Sequence, residues 1–112
     1  MAKSIQIVEA VIPAAGTDSG TITVPTGKTL LGFQTRSVLV GTTLKFKTAV
    51  VDTGTPVLMR TSDGSADLSV AVIPSRHYPV NPSNFESVKY LQLNSSASET
   101  GGATIDLVFG QL

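Results

Sequence analysis

The sequence predicts an all-β chain, a sandwich of two antiparallel sheets with about eight strands, and three observations carry that reading. Val, Ile and Thr make up roughly three residues in ten; their branched side chains are stiff about χ1 and fit a pleated surface better than a helix. Apolar residues recur at period two in short runs, and no window shows them at helical spacing. Turn chemistry separates the runs at intervals of about ten residues, as a sandwich requires.

The first run is irregular, because Ile5 and Ile7 share one parity while Val8, Ala10 and Ile12 share the other. One flat sheet face cannot bury all five, so the pattern predicts a bulge near Ile7 and Val8 or a crossing between two sheets. It also marks residues 1–7 as an N-terminal arm that adds a strand to a neighbouring subunit, with residues 8–112 as a single sandwich domain. The alternative is that the arm pairs within its own sandwich. Later runs alternate more simply: Ile22 and Val24; Leu31 and Phe33; Leu44, Phe46, Thr48 and Val50; Leu68, Val70 and Val72; Ile105, Leu107 and Phe109. Lys45 and Lys47 put charge on the face opposite Leu44 and Phe46, so that strand shows one face to water.

Turns are expected at 16–20, Pro25-Thr26-Gly27, Asp52-Thr53-Gly54, Ser62-Asp63-Gly64, 79–87 and 94–102. The last of these, with its Ser, Thr and Gly, reads as a mobile loop. One connection is unusual: Val38, Leu39 and Val40 are three consecutive large apolar residues between two strands. They serve either as an end-cap tucked under the core or as a contact with a neighbouring subunit.

Composition excludes several functions. Basic and acidic residues balance to a net charge of zero, which leaves no basic field for a phosphate backbone, so nucleic acid is a poor partner. Charged residues are 14% of the chain, against roughly 25% in an ordinary domain, so repulsion between copies is weak and self-association is easy. The chain has no cysteine, hence no disulfide, thiolate metal site or thiol nucleophile, and a reducing compartment is the simplest setting. Gln6 and Glu9 interrupt the apolar run from Ile5 to Ile12, which denies it the core of a signal peptide, and no stretch approaches transmembrane length. A membrane role is therefore not expected.

Catalysis is not expected either. His77 stands alone between Arg76 and Tyr78, and no Gly-x-Ser-x-Gly elbow accompanies the many serines. Asp63, Ser65 and Asp67 alternate as calcium-loop ligands do, but the completing Glu is missing and an Asp-Gly hairpin turn explains the same residues. Asn94-Ser95-Ser96 fits a glycosylation acceptor and reads as a polar turn. No metal or cofactor is implied. Phe33, Phe46 and Phe109 fall on inward parities, which leaves Tyr78, Phe85 and Tyr90 as the aromatics on which a sugar could stack; Tyr78 and Tyr90 are the glycan-binding candidates.

The order of segments is more specific than composition. Residues 12–22 (Ile12-Pro13-Ala14-Ala15-Gly16 through Gly20-Thr21-Ile22), then Leu31-Gly32-Phe33, Leu44-Lys45-Phe46, Asp63-Gly64, Pro82 with Phe85, Val88-Lys89-Tyr90-Leu91-Gln92-Leu93 and Ile105-Asp106-Leu107-Val108-Phe109 follow one another. That order resembles small jelly-roll virion proteins of tailed bacteriophages, the capsid decoration or cement proteins, over about residues 8–109. The chain departs from the group's pattern at Val38, Leu39 and Val40, where its members tend to carry a Pro and a Trp. The resemblance implies a jelly roll, a position on the outside of the head shell after synthesis in the host cytoplasm, and two partners: the major capsid protein and copies of itself, as a trimer or dimer. Ile5, Ile7, Val38, Leu39 and Val40 are then the interface candidates. The alternative is a virion-borne glycan-binding module in a head fibre or tail.

Overall fold

The computed structural model describes residues 5–51, 55–61 and 63–111. Its strands are β1 (Ile5–Ile12), β2 (Gly16–Asp18), β3 (Ile22–Thr23), β4 (Thr29–Thr35), β5 (Thr43–Ala49), β6 (Val57–Leu58), β7 (Ser69–Ala71), β8 (His77–Pro79), β9 (Tyr90–Glu99) and β10 (Ala103–Gly110). One sheet has the order β1-β10-β4-β8; in the other, β9 and β5 lie side by side, flanked by β2 and β3 on one edge and by β6 and β7 on the other. Every pairing is antiparallel.

The flanking pairs are interrupted strands. β2 and β3 follow the same edge of β9, and β6 and β7 follow the same edge of β5, where an excursion over residues 60–68 separates them. Counting each pair once gives eight positions, the number the sequence predicts. Between these eight positions the chain passes from one sheet to the other at every step except from β5 to β6, and the resulting order is that of a jelly roll. As a consequence, connections 13–15, 36–42, 72–76 and 100–102 gather at one end of the sandwich.

Period two puts the core where alternation predicted it. Leu44 and Phe46, Leu91 and Leu93, and Ile105, Leu107 and Phe109 are fully buried between the sheets. Phe33 joins the two sheets: it meets Phe46 edge-on at 6.0 Å and stacks on Tyr78 at 5.2 Å. On the outer face, Lys47 reaches across β9 to Asp18 of β2 at 2.8 Å and Lys45 bonds Asp67 of the 60–68 excursion at 3.2 Å, so the charged parity of β5 is paired. Lys47, and then Asn94, hold the Asp18 carboxyl below its ordinary pKa by hydrogen bonding.

The structure departs from the sequence reading at several points. β1 keeps one unbroken register from Ile5 opposite Gly110 to Ile12 opposite Ala103, so the bulge near Ile7 and Val8 does not form; the irregularity falls between Val108 and Phe109 of β10. That shift also displaces β4, in which Leu30 is fully buried and Leu31 only half-buried. Residues 5–7 of the expected arm are the start of β1, with Ile5 and Ile7 on its outer face; Met1–Ser4, the rest of that segment, lie outside the described residues, as do the expected Asp52-Thr53-Gly54 turn and Ser62. The stretch expected as a loop at 94–102 is strand as far as Glu99, and its hydroxyls bond neighbouring connections: Ser96 accepts from Thr42 N and Ser98 donates to Ala15 O. Phe85 is not an exposed aromatic: a 3₁₀ turn over Pro82–Phe85, capped by the Asn81 side chain accepting from Ser83 N, buries it edge-on against Phe46.

Replacing Phe33 by Ala removes the contact common to both sheets. Equilibrium denaturation should show a loss of about 3–5 kcal/mol with an unchanged denaturant slope. A loss below about 1 kcal/mol would contradict this account of the core.

Candidate interaction surface

The end of the sandwich where four connections gather is organised by two buried polar residues. Glu99, the last residue of β9, is fully buried. Its carboxylate accepts from Val40 N and Gly41 N, both at 2.8 Å, and from Ser95 Oγ at 2.8 Å. Its carbonyl accepts from Ala15 N at 2.7 Å and Gly102 N at 2.9 Å. One residue thus ties down three of the four connections. Thr35 holds the fourth: its hydroxyl donates to Ile73 O at 2.7 Å and accepts from Arg76 N at 2.9 Å.

The 36–42 connection is fixed along its length. Arg36 forms a two-pronged bond to Asp106 (3.0 and 2.8 Å) and reaches Glu9 at 2.6 Å, which raises its guanidinium pKa further above the ordinary value. Ser96 Oγ accepts from Thr42 N and Thr43 N at 3.1 and 3.2 Å. Gly41 sits against Ser95, and any Cβ there would overlap the Ser95 hydroxyl. Between these anchors Leu39 turns inward against the core, while Val38 and Val40 stay 58% and 50% exposed. Of the three consecutive apolar residues, Leu39 packs on the core as an end-cap requires, and Val38 and Val40 face outward.

Backbone strain collects at the same end. Ala15 and Ser75 are the non-glycine residues with positive φ among the described residues, at 63° and 59°. A side chain in that region costs on the order of 1 kcal/mol, so both connections are held there by their surroundings. Exposed Val11 and Val38 line a shallow groove of ≈ 380 Å³ that runs between residues 13–14 and 101–104. Ile73, in the 72–76 connection, is 52% exposed.

The other residues singled out in the sequence are scattered. Ile5 and Ile7 lie on the outer face of β1, in the same row as Val11. Tyr78 belongs to β8 in one sheet and Tyr90 to β9 in the other, so they form no common stacking platform; one face of Tyr78 is taken by Phe33, and its hydroxyl accepts from Ile73 N at 2.8 Å. His77 is exposed at the edge in β8. Asp63 folds back on its own turn, accepting from the Thr61 hydroxyl and from the Ser65 N–H and hydroxyl, which lowers its pKa to about 2. Asp67 turns instead to Arg60 and Lys45. Asp63 and Asp67 therefore serve the hairpin rather than a shared site.

No protein-family model matches the chain, and no curated protein matches it. Among solved structures it is similar to a chain of the cyanophage Pam1 capsid asymmetric unit, with 15% identity, coverage of 98% of this chain and 86% of that one, and a TM-score of 0.39. The strand order described above stands on its own hydrogen-bond registers.

Sequence reasoning missed Glu99, Thr35 and the Arg36 cluster. Glu99 carried one signal: it continues the inward parity of Leu91, Leu93 and Ser95. Gly41→Ala should cost about 1–3 kcal/mol by overpacking against Ser95. Ser95→Ala removes the overlapping hydroxyl, so the double variant should lose measurably less than the sum of the two single losses. Additive losses would contradict the close approach of Gly41 to Ser95.

Proposed function

We propose that the chain is a structural protein of a tailed-bacteriophage virion, a decoration or cement protein bound to the outside of the head shell. The observation that carries the reading is the strained, hydrogen-bonded loop end that presents Val38, Val40 and Ile73 to solvent. A surface meant only for water has no use for these side chains, and mobile loops would lose more entropy on docking than loops already held by Glu99 and Thr35. The segment order shared with jelly-roll virion proteins supports the same reading, as does a net charge of zero, which sets no repulsion against close packing on a shell. The partners are the major capsid protein, met by the loop end, and further copies of this chain.

Mass spectrometry of purified particles should find the protein in hundreds of copies per particle, the order expected of a shell lattice; a handful of copies would favour a fibre or tail module, and absence would defeat the proposal. Val38→Asp and Val40→Lys alter exposed side chains, so each should melt within about 0.5 kcal/mol of the parent. Both should lose co-sedimentation with undecorated capsids. Normal decoration by both variants would contradict attachment through this end.

A further inference from the structure

Of the four sheet edges, three are blunted against pairing. The β8 edge is three residues long and ends in Pro79, the β2/β3 edge is broken by an irregular register, and the β6/β7 edge is interrupted by the 60–68 excursion. β1 has none of these guards: it is eight residues long, regular, and free of Pro, Lys and bulges.

The phase of its free backbone groups can be read from the hydrogen bonds around it. Val11 O accepts from Gly20 N at 3.2 Å, so Val11 turns its backbone groups away from β10. Thr35 N donates to Arg76 O, away from β10, which makes Thr35 and Ile105 a non-bonded pair and points the Ile105 groups toward Ala10 of β1. Both observations give the same phase. The even residues of β1 bond β10, and Ile5, Ile7 and Glu9 direct their N–H and C=O groups outward.

We infer that two copies of this chain pair antiparallel through these β1 edges about a two-fold axis at Ile7, joining two four-stranded sheets into one. In this register Ile7 faces Ile7 of the second copy and Ile5 faces Glu9, and each of these pairs exchanges its two backbone bonds. Ile5 and Ile7, both 55% exposed in the single chain, come together on the outer face. Shifting the register by two residues toward the C-terminal end requires Val11, whose carbonyl is taken by Gly20, and a further shift sets Glu9 against Glu9. A shift the other way sets Glu9 opposite Lys3 of the second copy, outside the described residues. The fit is self-complementary, and with no net charge the copies do not repel. The inference concerns the chain itself and holds wherever it acts.

Light scattering after gel filtration tests it on the full chain. The mass should rise with concentration from 11.6 kDa to twice that value. Ile7→Pro removes an N–H that meets no partner among the described residues, and Ile7→Lys adds a charge at an exposed position and sets it against its own copy on the axis. The dimer should be lost in both variants, with melting near that of the parent; should the proline variant fail to fold, the lysine variant decides. A parent that stays monomeric at every concentration, a mass other than that of two chains, or a dimer that survives the substitutions overturns the inference. So does a monomeric parent whose variants lose only capsid binding, which would assign the edge to a different partner.

Discussion

The carboxylate of Glu99 is the interaction on which the arrangement of the loop end depends. A jelly roll makes repeated crossings between sheets, and each crossing leaves backbone N–H groups with no strand partner. Here Val40 and Gly41 direct two such groups at a carboxylate buried inside the sandwich, and Ser95 supplies a third donor. A buried carboxyl group without partners would cost several kcal/mol, so neither the group nor the loop it holds is tolerable without the other. The demand extends to the residues around it. Gly41 leaves room for the approach, and the Glu99 carbonyl takes the Ala15 and Gly102 amides, which draws two neighbouring turns to the same point.

This arrangement accounts for what was legible in the sequence. Strands showed themselves wherever apolar and polar residues alternate, because burial between two sheets selects side chains at period two; Leu44 to Phe46 and Ile105 to Phe109 are the clearest cases. The second half of β9 was hidden for the same reason. Its inward positions are filled by Ser95 and Glu99, which satisfy crossing loops rather than pack a core, and a run of Ser with Glu has the composition of a loop. Val38 to Val40 stood out as apolar residues in a connection, but only the anchoring at Arg36, Gly41 and Thr42 decides that Leu39 turns in and its neighbours turn out. β1 misled through its two apolar parities: one faces the core, and the other lies on the outer face of an edge strand, so no bulge is needed.

The surfaces divide accordingly. The outer face of β5 spends its few charges on Lys47 with Asp18 and Lys45 with Asp67, and the 36–42 connection is pinned to the other sheet by Arg36 with Asp106 and Glu9. The exposed apolar residues of the loop end and of β1 are left uncovered by the other described residues. A rigid end and an open edge are the features that suit a protein built into an assembly.

Hydrogen exchange of the Val40 and Gly41 amides tests the account most directly. Although these residues sit in a connection, their amides should exchange as slowly as those of the buried β9 strand, such as Leu93, because opening them breaks the bonds to Glu99. Exchange of both amides at the rate of an exposed loop would show that Glu99 does not hold this end.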